Sequence, residues 1–153
     1  MKADAFGHPE ATSPTIDFYD EDAGFLPSQR PTLQQWIRQI IEQESCTLQQ
    51  LTYIFCSDAY LHRINLEYLQ HDTYTDIITF PYEEPPLIHS DIFISVERVR
   101  DNAKQYGSAF EQELHRVIIH GVLHLCGYTD KTAQEAQHMR QKEEEALNLL
   151  SRL

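Results

Sequence analysis

His120 and His124 are the residues of this 153-residue chain whose type and spacing most directly suggest chemistry. Positions four apart on a helix lie about 40° apart around its axis and one turn along it, so the two imidazoles share a face and can grip one metal ion. Gly127 gives that helix a stop, after which the chain can double back and carry Asp130 towards the pair. Two imidazoles and one carboxylate leave a coordination position open for water, as a catalytic zinc site requires, whereas a structural site is closed by four protein ligands. Apolar neighbours (Val117, Ile118, Ile119, Val122, Leu123, Leu125) bury the helix, and a buried imidazole without a partner costs free energy. Zinc proteases of the His-Glu-x-x-His type have their general base directly after the first histidine. Gly121 stands there, so that protease chemistry lacks its base, and a hydrolase on this site would rely on water activated by the metal. Gly121 either leaves room for a bulky substrate group near the metal or serves close helix packing.

The elements that must position these residues follow from periodicity and punctuation. Residues 1–14, with Gly7 and two prolines, read as a flexible N-terminal tail, and residues 15–153 as one domain. Thr15 to Tyr19 alternates like a strand. Thr32 opens a helix with Leu33, Trp36, Ile37, Ile40 and Ile41 on one stripe, and Leu51 to Cys56 is a strand of the buried kind. Ser57 or Asp58 caps a helix to about Leu69. Asp76 to Tyr82 and Asp91 to Val96 are strands joined by a short, antiparallel connection. Three helices follow: about Val96 to Tyr106, stopping at Gly107; one opened by a Ser108–Glu111 capping box and running to about Cys126; and one opened by a Thr132–Glu135 box and running to about Leu150. The order predicts an α+β fold with a small mixed sheet of about four strands, the first two parallel through a helical crossover.

Composition narrows the class. Twelve Lys+Arg against 24 Asp+Glu give a net charge of −12, with residues 1–90 at −10 and residues 91–153 at −2. That balance argues against a broad nucleic-acid surface and against DNA as a partner. No apolar run approaches the roughly 20 residues of a membrane helix, and the first residues lack the apolar core of a secretory signal. Cys46, Cys56 and Cys126 are odd in number and not in Cys-x-x-Cys spacing. The expectation is a cytoplasmic protein with no membrane partner.

The run from His120 to Tyr128, His-Gly-Val-Leu-His-Leu-Cys-Gly-Tyr, resembles the HGxLHLxGYDH signature of the YbeY family of bacterial rRNA-maturation endoribonucleases. Upstream, Ile64-Asn65 and the run from Tyr74 to Pro81 resemble that family's second motif. Ser90-Asp91-Ile92 resembles its third, and Met139 followed by Glu143 its C-terminal helix. The likeness spans about Leu51 to Leu150 with the motifs in order. It implies a metal-dependent, single-strand-specific endoribonuclease acting in 16S rRNA 3′-end maturation and ribosome quality control, with the small ribosomal subunit or ribosomal proteins as partners. It also implies one zinc ion per chain, on His120, His124 and, in place of the family's third histidine, Asp130. A carboxylate binds zinc at a similar bond length but adds one negative charge, which favours harder metals.

The family arginine that follows the Asn-x-x-Tyr stretch aligns with Leu69. Asn65 and Leu69 share a helix face, whereas Arg63 lies about 240° round from Leu69. An imidazolium of His62 or His71 could act in the arginine's place, against a solvated role for both histidines, and His62, Asn65 and His71 are the candidate catalytic residues beside the metal-bound water. Thr75 and Asp76 read as caps or braces of the following strand or as substrate contacts, Asp91 as a metal-supporting or turn residue, His115 and Arg116 as phosphate contacts or surface, and Glu143–Glu145 as a solvated helix face. Two rival functions stay open on the sequence: a non-catalytic ribosome-assembly factor with a structural metal, and an unrelated metal-dependent hydrolase or non-haem iron enzyme using two histidines and one carboxylate.

Overall fold

Leu33, Trp36, Ile37, Ile40 and Ile41 form the buried face of helix α1 (Arg30–Gln43) in the computed structural model of the chain, which describes residues 2–4, 8–10 and 13–153. Within the expected N-terminal tail, β1 (Lys2–Asp4) pairs antiparallel with β2 (His8–Glu10), and residues 1, 5–7, 11 and 12 lie outside the described residues. The main sheet contains β3 (Thr15–Asp20), β4 (Thr47–Cys56), β5 (Ile77–Pro81) and β6 (Leu87–Ser95) in the order β3-β4-β6-β5. The β3/β4 and β4/β6 pairs are parallel and β5/β6 is antiparallel, giving the mixed four-stranded sheet expected from the sequence.

Strand alternation sends residues to two faces. Leu51, Tyr53 and Phe55 of β4, with Ile88, Ile92 and Ile94 of β6, enter the larger core beneath α1 and the helix that carries His120 and His124. The opposite face offers Cys56 and Ile78, with Phe80 and Phe93 beside them, to Leu61 and Ile64 of α2 (Asp58–Leu69). Helices α3 (Val96–Tyr106), α4 (Phe110–Leu125) and α5 (Ala133–Leu150) complete the chain. Buried hydrogen bonds tie the layers together: the Trp36 indole donates to the Ala146 carbonyl at 2.7 Å, and the Tyr53 hydroxyl to the Ile118 carbonyl at 3.0 Å.

Several boundaries differ from the sequence reading, among them the start of β6 at Leu87 rather than Asp91 and of α1 at Arg30 rather than Thr32. Strand β4 begins at Thr47 rather than Leu51, because a register shift between Leu48 and Gln50 absorbs the polar pair that interrupts the alternation. The Ser108–Glu111 box does not form. The Ser108 amide donates to the Ala103 carbonyl, so this residue belongs to the last turn of α3, and α4 starts from Ala109 without a side-chain cap. The Thr132–Glu135 box is present, and Ser57 caps α2 while Asp58 pairs with Arg98.

Gly121 is where α4 comes down on the sheet. A Cβ there would lie 3.0 Å from Ile77 Cδ1 and 3.1 Å from Ile92 Cδ1. Of the two roles the sequence allows this glycine, the structure shows helix-on-sheet packing. Gly121→Leu is expected to cost about 2–3 kcal/mol through overpacking, a melting temperature lowered by roughly 5–10 °C in a scanning-calorimetry trace. An unchanged melting temperature would mean that α4 does not rest on β5 and β6 at this point.

Candidate metal centre

The geometry begins with the last turn of α4. The Gly127 amide donates to the His124 carbonyl and the Tyr128 amide to the Leu123 carbonyl, and Gly127 takes φ +112°, outside the range comfortable for residues with a side chain. The chain therefore reverses just after His124 and brings Asp130 back over the helix face. Asp130 Oδ2 lies 3.6 Å from His120 Nε2 and 3.6 Å from His124 Nε2. The three donor atoms all fall within 4.8 Å of one another, and the two rings meet edge to face at 4.5 Å. Zinc bonds of 2.0–2.2 Å set tetrahedral ligand–ligand edges of about 3.4 Å, so this donor set fits a zinc-sized ion.

The outer nitrogens show why the inner ones are free. His124 Nδ1–H donates to the Tyr128 carbonyl at 2.9 Å, and His120 Nδ1–H to Glu143 Oε2 at 2.6 Å. A carbonyl and a carboxylate can only accept, which leaves a lone pair on each Nε2 facing Asp130. Glu143 is only 4% exposed, and its other oxygen accepts from Arg116 Nη1 at 3.2 Å. Arg116 also meets Glu144 at 2.8 Å and Glu113 at 3.6 Å. Burial works against a charge on His120, but the Glu143 hydrogen bond and charge, with Asp130 and Asp76, outweigh it and raise its pKa. Burial disfavours the charged form of Asp76 as well and so raises its carboxyl, which accepts a 3.3 Å hydrogen bond from Asn102.

Glu143 is thus not part of a solvated face, the role the sequence suggested, and Arg116 is a partner of three carboxylates rather than a surface cation. Met139, Glu143 and Ala146 are the buried residues of α5 and lie at spacings of four and three. That stripe is the signal that marks Glu143 as inward-facing. Asp91 also lies away from the metal site, accepting a hydrogen bond from Tyr82 in a groove on the far side of α2. His115 packs its ring edge-on to Trp36.

A cleft of about 470 Å³ opens in front of the three donors, walled by α2 and β5. Asn65, Leu69 and His71 line it. Asn65 Nδ2 donates to the Thr73 carbonyl at 3.0 Å and braces the segment between α2 and β5. The structure does not bring His62 into this cleft: its Nε2 meets Asp72 at 2.8 Å, and its ring stacks on Tyr74 at 4.2 Å. The cysteines are all free thiols, and burial, helped by Asp22, Glu21 and Asp58, pushes Cys56 up to about 12. No helix of the described residues is long and apolar enough to cross a membrane.

The chain is similar to known proteins over most of its length. A family described as Endoribonuclease YbeY matches residues 17–151. An endoribonuclease YbeY of Christiangramia forsetii is 47% identical over 134 residues, covering 88% of this chain and 93% of the relative. One from Amoebophilus asiaticus is 51% identical over 129 residues, covering 84% and 88% respectively. The solution structure of TM1509 from Thermotoga maritima superimposes with a TM-score of 0.67 at 26% identity, covering 89% of each chain. With so much of both relatives matched at about half identity, the chain belongs to the endoribonuclease YbeY family.

Proposed function

We propose that the chain is a zinc-dependent, single-strand-specific endoribonuclease that hydrolyses RNA phosphodiester bonds. Its role is in 16S rRNA 3′-end maturation and ribosome quality control, in the cytoplasm and with the small ribosomal subunit or its proteins. The observation that carries this reading is the convergence of His120 Nε2, His124 Nε2 and Asp130 Oδ2 at the floor of an open cleft. Relatives named endoribonucleases support the reaction class.

In this reading His120, His124 and Asp130 hold the zinc, which supplies Lewis-acid activation of water and charge stabilisation at a phosphoryl oxygen. Glu143 and the Tyr128 carbonyl keep the two imidazoles in the ligating tautomer and orientation. Leu69 brings no cation to the cleft, so His71 is the imidazole left there to meet a phosphate. Asn65 acts at one remove, holding the Thr73 segment that shapes the wall. A chain of net charge −12 gains little from long-range attraction, and its RNA affinity should be modest and fall with salt.

The test is cleavage of an end-labelled single-stranded oligoribonucleotide by the zinc-loaded chain, beside His120→Ala and Asp130→Ala preparations purified identically. Cleavage should fall at least roughly 100-fold in both variants, and the same strand in a duplex should survive. Equal cleavage by wild type and variants would assign the activity to a contaminant and sink the reading. The 3′ ends of the products separate attack by water from attack by the RNA's own 2′-hydroxyl.

A further inference from the structure

On the side of α2 away from the metal cleft lies a second depression, a groove of about 360 Å³ between α2 and the β5–β6 hairpin. Its floor is Phe80 and Phe93, set edge to face at 5.7 Å, and Tyr68 stands edge-on to Phe80 at 6.1 Å. Tyr68 is 70% exposed and Tyr82 56%, so neither ring is needed to seal the small core that Leu61, Ile64 and Ile78 already close. Exposed aromatic planes around a hollow are a surface awaiting a flat partner.

The charges say which partner. Arg63 lies over the Tyr60 ring at 5.2 Å and makes no ion pair among the described residues, in the stretch 1–90 that holds four cations against fourteen acids. Glu67 and Asp91 also line the groove, and one oxygen of Asp91 accepts from the Tyr82 hydroxyl at 2.6 Å. Two carboxylates keep a phosphate from the hollow itself but accept hydrogen bonds from the amino and imino groups on base edges. Arg63 is the cation available to a backbone phosphate. Aromatic planes beside an unpaired arginine are how proteins hold single-stranded nucleic acid. A second copy of this chain, also at −12, would be repelled.

Position completes the argument. Consecutive residues of α2 divide between the two depressions, Asn65 and Leu69 lining the metal cleft and Ile64 and Tyr68 the groove. Along β5, Thr79 lines the cleft and Phe80 the groove. Strand β5 is the edge of the sheet, so no further strand of the sheet covers the path between them. We propose that the groove is a nucleobase subsite, where an unpaired base of an RNA strand stacks on Tyr68 or Tyr82 while its phosphate meets Arg63 and the strand continues over β5 into the metal cleft. The proposal rests on the endoribonuclease reading given above, and it assigns that enzyme a part of its substrate contact outside the cleft.

The experiment is fluorescence anisotropy of a labelled single-stranded decaribonucleotide with 2′-O-methyl sugars and phosphorothioate linkages, which resist cleavage, and the zinc-loaded full chain. The Tyr68→Ala/Tyr82→Ala double variant should bind about tenfold or more weakly, and the Tyr68→Phe/Tyr82→Phe variant close to wild type. An oligomer of abasic sites should not distinguish them. Arg63→Ala should lower the salt slope of log affinity by about 0.7, one single-strand phosphate contact. Melting curves and zinc stoichiometry, both expected to be unchanged, report that the variants fold. Equal RNA affinity in wild type and the double alanine variant would overturn the subsite and leave the nuclease reading standing. So would a loss confined to binding of an arginine-rich peptide, which would make the groove a protein-docking site. RNA binding absent from the wild type would overturn both.

Discussion

Replacing Asp130 by alanine is expected to strip the chain of its metal. Wild-type protein purified without chelator should carry about one zinc per chain by plasma mass spectrometry, and the variant a small fraction of that. The magnitude follows from the ligand set. Four-ligand zinc sites bind with about 10–16 kcal/mol, so one ligand in such a set is worth roughly 3–4 kcal/mol, or a 10²- to 10³-fold change in affinity. Asp130 is well suited to the test because its carboxylate is partly exposed on a turn, 3.6 Å from the Nε2 atoms of His120 and His124. The fold should be indifferent to its loss, with chelated wild type and variant melting together. Asp130→His, which restores the family's third imidazole, should bind zinc at least as tightly as wild type. It should also be less tolerant of harder ions such as manganese, because a carboxylate suits those ions and an imidazole suits them less. A wild-type chain with no stoichiometric metal, under conditions where the histidine variant is loaded, would show that the carboxylate does not complete the site.

How far these features could be read in advance depends on whether they are local. The helical spacing of His120 and His124 is a local fact, and so is the glycine that ends α4, which together suffice to place Asp130 near the pair. The stripe on α1 is legible for the same reason: five apolar residues at helical spacing can only be satisfied by burial of one face. The start of β4 is not local. Gln49 and Gln50 look like a break until the partner strand β6 fixes the register and a bulge takes up the extra residue. Ser108 has the right type and spacing for a cap, but its backbone is already committed to the end of α3, a competition that depends on Gly107 turning the chain. His62 shares a face with Asn65 on a helical wheel, yet Asp72 and Tyr74 from the following segment hold its ring away from the cleft. Glu143 was obscured by its own neighbours, since three consecutive glutamates read as solvent-facing charge.

That run of glutamates supplies the sharpest contrast between adjacent positions. Glu143→Gln is expected to lower zinc affinity roughly 10- to 100-fold, the usual consequence of losing the group that orients a ligating histidine. The carboxylate serves His120 Nδ1–H with one oxygen and Arg116 with the other. An amide has one oxygen, so whichever way it turns, an N–H₂ faces either the imidazole N–H or the guanidinium, and one donor is left unsatisfied in a buried place. Glu143→Ala removes both acceptors and should also cost about 3 kcal/mol of stability in urea unfolding of the metal-free chain, near the low end for breaking a buried pair because Arg116 keeps Glu113 and Glu144. Glu144→Gln is the control. Its side chain is 54% exposed and meets only the outer edge of Arg116, so it should change stability by less than about 1 kcal/mol and leave zinc affinity alone. Competition against a chromophoric chelator reads all three variants on one scale. If Glu143→Gln and Glu144→Gln bound zinc equally well, the orientation of His120 would have to come from the packing of α4 alone. The 2.6 Å hydrogen bond would then be a consequence of that packing and not its cause.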